Sequence, residues 1–262
     1  MPGARLAAID LDGTLLRSDG TISARTRAAA RAAVAAGIEI VLVTARGPQT
    51  VGEIAAELGI RGEAICSNGA IVLDLDSGRI LRLRTIETEV ALELVHALRK
   101  RLPGVLFAVE REALAHEPGF SAWDWTPPAG TRVGDAIELL AEPAAKLILR
   151  HVDHEVEAVA AVARELAGDA VSISLSGPWV VEISPAGVNK ASALAELCEK
   201  LGIGAGDVIA FGDHLNDLPM LAWAGRAVAV ANAHPDVVAL ADEVTATNDD
   251  DGVALVLERL SA

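Results

Sequence analysis

The sequence has no tyrosine, three phenylalanines, four tryptophans and only two cysteines in 262 residues. Cys66 and Cys198 lie too far apart to match a zinc or dithiol spacing, which excludes a metal knuckle or redox motif and suits a reducing interior. No stretch approaches the roughly 20 uncharged apolar residues of a membrane span. The N-terminus lacks the layout of a signal peptide, because Asp10 and Asp12 interrupt its first apolar run. Positive charge is sparse, with 22 lysines and arginines against 37 acidic residues and a formal net charge of -15. That excess repels phosphate backbones and anionic bilayers. The densest basic run, "LRKRL" at 98–102, reads as the solvated face of a helix. These absences predict a soluble cytoplasmic protein with no nucleic-acid and no membrane partner.

What is present is apolar bulk, 52% of the chain, enough for a sizeable core. Residues 4–11 and "EIVLVT" at 39–44 read as strands buried on both faces. Between them a helix runs from the N-cap candidate Ser23 to Gly37, and "PQTVGEIAAELGI" and "EAICSNG" continue a βαβαβ rhythm. The rhythm breaks after Gly69. Alternation on both sides of Asp76-Ser77-Gly78 predicts a hairpin, followed by a helix near 87–102, the strand "AKLILR", a helix near 153–167 and the strands "VSISLSG" and "WVVEISP". From "GVNKASALAELCEKLGI" the α/β pattern resumes to the C-terminus. The expected fold is therefore α/β: a Rossmann-like, doubly wound parallel-sheet core from residues 1–77 and 188–262, with an α+β cap inserted at 78–187.

Two passages alternate aspartate with leucine and then turn at glycine. In "AAIDLDGTLL", Asp10 and Asp12 end a buried strand where a parallel sheet presents its binding residues, and like charges there favour a cation or a shared proton. In "VLDLDSG", at 72–78, the same spacing lies in a half-exposed hairpin, where aspartates serve the turn. Taken alone, the first motif also reads as an Asp-Gly turn. Three other signals join it: Thr44 ends the next core strand, Lys190 starts a helix whose free N–H groups favour an anion, and Asp213 ends a third strand with Asn216 and Asp217 close behind. Each alone reads equally as a cap, turn or solvated residue. Together they suit phosphoryl transfer, with clustered aspartates holding Mg²⁺, Asp10 as nucleophile and Asp12 as general acid and base.

In "DLDGTLL", "TAR", "SNGA", "GVNKASAL", "GDHLNDLPML" and "AVANAHPDVVALADEVTATNDDDGVA", the sequence resembles a haloacid dehalogenase superfamily phosphatase of the Cof type. The resemblance covers almost the whole chain and implies a phosphoric monoester hydrolase acting on a small phosphorylated metabolite through an aspartyl-phosphate on Asp10. It implies Mg²⁺ held by the Asp10 and Asp213 carboxylates and the Asp12 backbone carbonyl. Thr44 and Lys190 would hold phosphoryl oxygens, Asn216 would line the same site, and Asp217 would orient its neighbours. Arg46 and Asn68 would face substrate from the rim, and Gly13 and Gly212 suit a tight backbone. His214, Ala45 and Ala191 depart from the commonest pattern without removing a catalytic group. A specialised relative of the sucrose-phosphate or mannosyl-phosphoglycerate phosphatase type, and a catalytically silent phosphometabolite sensor, are the competing readings.

Three features outside the motifs stay open. Phe120, Trp123 and Trp125 beside Pro127 and Pro128 read first as cap core or interface and second as a ligand lid. Lys146 reads as a strand-edge lysine. His214 reads first as a solvent-facing loop residue and second as a metal-site neighbour that makes activity depend on pH.

Overall fold

The computed structural model describes residues 4–120, 127, 130–177 and 179–262. Strand β1, Leu6–Ile9, is apolar at every position and wholly buried. Its successive side chains point to opposite faces, and each face meets helices. Helix α1 (Ala24–Ala35), β2 (Glu39–Leu42), α2 (Pro48–Leu58) and β3 (Glu63–Cys66) follow, and Ser23 caps α1 by accepting from Thr26 N at 2.9 Å.

After β3 come β4 (Ile71–Asp74), β5 (Ile80–Leu83), α3 (Thr88–Arg101), β6 (Leu106–Glu110), β7 (Leu114–His116), β8 (Arg132–Val133) and α4 (Ala136–Leu139). Then come β9 (Lys146–Arg150), α5 (Val156–Ala167), β10 (Val171–Leu175) and β11 (Val181–Pro185). The chain closes with α6 (Lys190–Leu201), β12 (Val208–Gly212), α7 (Leu218–Trp223), β13 (Arg226–Ala229), α8 (Pro235–Leu240), β14 (Glu243–Val244) and α9 (Gly252–Ser261).

The core sheet has the order β14-β13-β12-β1-β2, all parallel, with Leu6 facing Val208 on one side and Glu39 on the other. Ala7 and Ile9 pack among residues of α1, α2 and α9, whereas Leu6 and Ala8 pack among residues of α6, α7 and α8. This is the expected doubly wound core, assembled from both ends of the chain. Strand β3 differs from the simple rhythm: it touches the core sheet through one parallel bridge, Val43 to Ile65, and pairs antiparallel with β4 in a sheet β3-β4-β5. A tight turn folds β4 straight back on β3, so β4 takes the hydrogen bonds that a further core strand would have used. In the hairpin turn, Asp74 accepts from the backbone N–H groups of Asp76 and Ser77 at 2.9 and 3.2 Å, so these aspartates do serve a turn.

The second large sheet runs β10-β11-β9-β6-β7-β8, antiparallel except for β7 with β8. One face, carrying Phe107, Val109, Leu147, Leu149, Val181 and Ile183, is covered by α3 and α5. Strand alternation puts Glu110, Lys146, Ile148, Glu182 and Ser184 on the other face, turned toward the core. The edge-lysine reading of Lys146 is therefore wrong: β9 lies between β11 and β6, and Lys146 is 2% exposed. A single strand's pattern does not say which strands flank it. Strand β6, whose run "LFAV" is apolar at four consecutive positions, was not anticipated either.

Arg99 and Arg101 of the basic run pair with Glu117 and Asp135, and with Glu165, respectively. Phe120 is buried, while Trp123, Trp125 and Pro128 lie outside the described residues. Among the described residues no helix is long and apolar enough to cross a membrane.

Candidate active site

The carboxyl end of β1 delivers Asp10 into a buried pocket beside the end of β12, where Asp10 N donates to Phe211 O at 3.2 Å. The chain then turns tightly through Leu11–Leu15, with Gly13 at φ +76°. A Cβ on Gly13 would overlap the Asp213 carboxylate, so both the positive φ and the close approach require glycine there. Gly212 is needed for space alone, since a Cβ would run into the Asp217 side chain.

Lys190 opens α6, which Asn189 and Ser192 cap reciprocally. Lys190 is 1% exposed, and its Nζ donates to Asp10 Oδ1 at 2.5 Å and Asp217 Oδ1 at 2.6 Å. Asp217 Oδ2 accepts from the backbone N–H groups of Asp213 and His214 at 3.0 and 3.1 Å, so both its oxygens are engaged. Asp213 accepts from Thr14 Oγ1 at 2.8 Å. Carboxylate oxygens of Asp10, Asp213 and Asp217 lie within 4.8 Å of one another.

Burial pushes the Asp10 carboxyl well above its ordinary value; Asp217 and Asp213 add to the rise, and the Lys190 ammonium opposes it. Burial, then the Asp217 charge, pushes Asp213 up to about 6. Lys190 is held above the ordinary lysine range because Asp10 and Asp217 outweigh the cost of burying it. Three carboxyl groups crowd around one ammonium, and this donor set of hard oxygens fits a divalent cation such as Mg²⁺. With Asp217 already engaged, Asp10 and Asp213 are the side chains placed to hold it.

The other anticipated residues fall into two groups. Thr44, fully buried at the end of β2, accepts from Arg46 N at 3.1 Å, and its carbonyl accepts from Asn68 N at 3.0 Å. Asn216 is buried and donates to Asn68 Oδ1 at 3.1 Å. Asp12 turns away from the cluster, 54% exposed, and takes a two-pronged ion pair from Arg46, with Nε to Oδ2 at 2.7 Å and Nη2 to Oδ1 at 2.5 Å. Asn68 is 3% exposed rather than on an open rim. It sits at φ +54° and donates to Glu182 Oε2 at 2.7 Å and Ser174 Oγ at 3.3 Å, across the junction with the second sheet. His214 is half-buried, its Nδ1 2.9 Å from the Leu175 carbonyl oxygen.

Sequence reasoning missed a second charged cluster facing the first from the other side of this junction. Lys146 Nζ donates to Ala45 O at 2.7 Å and Glu182 Oε1 at 2.6 Å, and pairs with Glu110 Oε2 at 3.2 Å. Ser67 Oγ also donates to Glu110 Oε2, at 2.8 Å. The Lys146 and Glu182 charges hold each other, Lys146 above and Glu182 below its ordinary range despite burial. The only signal available was one lysine and two glutamates, each at a buried position of a separate strand.

A parallel sheet that ends in clustered aspartates around a buried lysine, overhung by a second sheet, is the build of a phosphoryl-transferring hydrolase. The model of the haloacid dehalogenase-like hydrolases matches residues 7–257. The chain belongs to that family, in its Cof-type branch, and is a phosphatase. It is 30% identical to phosphatase YwpJ of Bacillus subtilis, over 98% of this chain and 99% of that protein. It is 32% identical to the 5-amino-6-(5-phospho-D-ribitylamino)uracil phosphatase YcsE of the same organism, over 95% and 93% of the two chains. A solved haloacid dehalogenase-like hydrolase from B. subtilis superposes with a TM-score of 0.84 at 28% identity, covering 98% of this chain and 99% of that one.

Proposed function

We propose that the protein is a Mg²⁺-dependent phosphatase that hydrolyses a small phosphorylated metabolite through an aspartyl-phosphate on Asp10. The observation that carries this reading is the Lys190 ammonium bridging Asp10 and Asp217 in a buried pocket beside Asp213. Such a lysine opposes the rise that burial imposes on the Asp10 carboxyl, aims it, and offers a positive wall to phosphoryl oxygens. Asp10 and Asp213, with the Asp12 backbone carbonyl, hold the metal, which when bound offsets negative charge on the transferring group.

In the first half-reaction an Asp10 oxygen bonds to phosphorus as the bond to the leaving oxygen breaks, and Asp12 gives that oxygen its proton. In the second, Asp12 takes a proton from water as the water oxygen attacks phosphorus, releasing phosphate and the Asp10 carboxylate. Arg46 now takes up both oxygens of Asp12, so substrate must draw the guanidinium away before Asp12 can reach the leaving oxygen. Thr44, Lys190 and Asn216 line the phosphoryl position, and Asp217 orients Lys190 and the backbone that leads into Asp213. Residues 1–77 and 188–262 act as the catalytic core and 78–187 as the cap, in a cytoplasmic enzyme.

The test is hydrolysis of an aryl phosphate by wild type with Mg²⁺, by wild type with EDTA, and by Asp10→Asn. Turnover in the first condition alone supports the reading. Full turnover by Asp10→Asn, or none by folded, metal-replete wild type on any phosphate ester, overturns it.

A further inference from the structure

We infer that His214 is a positioning residue for the metal site: its bond to the Leu175 carbonyl at the end of β10 fixes the turn that carries Asp213. The role rests on the Mg²⁺-dependent reading above and adds to it a residue outside the reacting groups.

The turn from Asp213 to Asp217 is stiff in itself. Asp217 N donates to His214 O at 2.9 Å, and Asp217 Oδ2 accepts from the backbone N–H groups of Asp213 and His214 at 3.0 and 3.1 Å. It therefore shifts as a body, and its outside contacts decide where Asp213 stands. On the core side the Asp213 carbonyl accepts from His234 N at 2.8 Å, its carboxylate accepts from Thr14 Oγ1 at 2.8 Å, and Lys190 holds Asp217. On the other side the second sheet grips three consecutive residues. His214 Nδ1 lies 2.9 Å from Leu175 O, Leu215 packs against the apolar cluster of that sheet, and Asn216 donates to Asn68, which in turn reaches Ser174 and Glu182.

Two features give the histidine bond its weight. A cavity of about 310 Å³ runs along this seam, bounded by Ser174, Leu175, Leu215, Asn216 and Lys190 among others. Close packing is interrupted there, so directed bonds rather than filled space locate the turn. In addition, carboxylate oxygens of Asp10, Asp213 and Asp217 crowd within 4.8 Å, and like charges at that distance repel. A turn free to tilt would relieve the crowding by carrying Asp213 away, and Mg²⁺ would have to gather it again at a cost in affinity. A carbonyl oxygen only accepts, so Nδ1 carries the proton of this bond. Leucine at 214 has no donor to offer Leu175, whereas the amide nitrogen of asparagine takes the place of Nδ1 and keeps the bond.

The experiment titrates Mg²⁺ into metal-free protein by calorimetry, with no phosphate ester present, so that it is read apart from turnover. His214→Leu is expected to weaken Mg²⁺ binding by about tenfold, and His214→Asn to stay within about threefold of wild type. Leu215→Ala, which removes the apolar part of the same grip, is expected to weaken binding by about threefold. Phe107→Leu loosens the same apolar cluster from β6, with β11 and β9 between it and β10, and is expected to lower Tm while keeping the wild-type Kd for Mg²⁺. Wild-type affinity in folded His214→Leu, or equal losses in His214→Leu and His214→Asn, overturn the inference alone. If His214→Leu does not fold, wild-type affinity in Leu215→Ala overturns it instead. A loss in Phe107→Leu that matches the loss in His214→Leu also overturns it, since the effect would then be one of general stability. A wild type that binds no Mg²⁺ overturns the metal-dependent reading, and the inference with it.

Discussion

Two lysines are buried on opposite sides of the junction between the core and the second sheet, each against two carboxylates. Lys190 sits at the start of a helix, where the helix dipole disfavours a cation, and next to a third carboxylate that it does not reach. Lys146 sits mid-strand, with an acceptor for each of its three protons, and Ser67 and Asn68 supply neutral donors to its carboxylates. The first cluster is short of positive charge and tolerates a poor position for a lysine; the second is closed on itself. Similar residues thus make a cluster short of positive charge in one place and a brace in the other.

The comparison breaks if the two lysines behave alike. Lys190→Met is expected to lower kcat on an aryl phosphate by about a thousandfold, because it removes the cation that aims Asp10. Lys146→Met is expected to change kcat by less than about tenfold but to cost about 3–5 kcal/mol in urea denaturation, since it leaves two buried carboxylates unpaired. Replacing the cluster with Glu110→Gln, Lys146→Met and Glu182→Gln together is expected to restore most of that stability. Equal kcat losses in the two lysine variants would show that Lys146 takes part in the chemistry.

Each cluster also has a glycine against a carboxylate. A Cβ on Gly13 would meet Asp213, and one on Gly47 would meet Glu110. Gly13→Ala is expected to cost about 1–3 kcal/mol and most of the activity, because its φ of +76° adds strain to the clash. Gly47→Ala, with an ordinary φ of -72° and only the end of a glutamate to displace, is expected to cost less than about 1 kcal/mol. Denaturation curves of both variants check the ranking.

The smallest effect sharpens the claim that the core cluster is short of positive charge. A carboxyl whose pKa is higher folded than unfolded binds its proton more tightly in the folded state, so it lends stability at low pH and withdraws it as pH rises. For Asp213 that window runs from the ordinary 3.8 to about 6, and Asp10 shifts in the same direction. The gap in Tm between samples in Mg²⁺ and in EDTA is therefore expected to widen by about 3–6 °C from pH 5 to pH 7. A constant gap would mean that the cluster is already neutralised without metal.

The core cluster was legible in the sequence because each member stands at an element boundary: Asp10 and Asp213 at strand ends, Lys190 at a helix start. Boundaries are marked locally by apolar runs and caps, so function at a boundary shows in one dimension. The alternating hairpin around Asp76 was legible for the same reason. Lys146 was not, because its meaning depends on which strands flank β9 and on the backbone carbonyl of Ala45, 101 residues away. Asn68 was found by its motif, but its partners Ser174 and Glu182 lie more than 100 residues on. The pairing of Asp12 with Arg46 is likewise a contact that no local pattern encodes.

The register of β1 also has a consequence for the order of synthesis. Its neighbour on one side, β2, leaves the ribosome soon after it, but Val208, the partner of Leu6 on the other side, follows roughly 200 residues later. The six strands of the second sheet lie in one continuous stretch, Leu106–Pro185, and all are made before β12. A nascent chain therefore has every strand of that sheet in hand while an apolar edge of β1 is still unpaired, and only the last quarter of translation covers it.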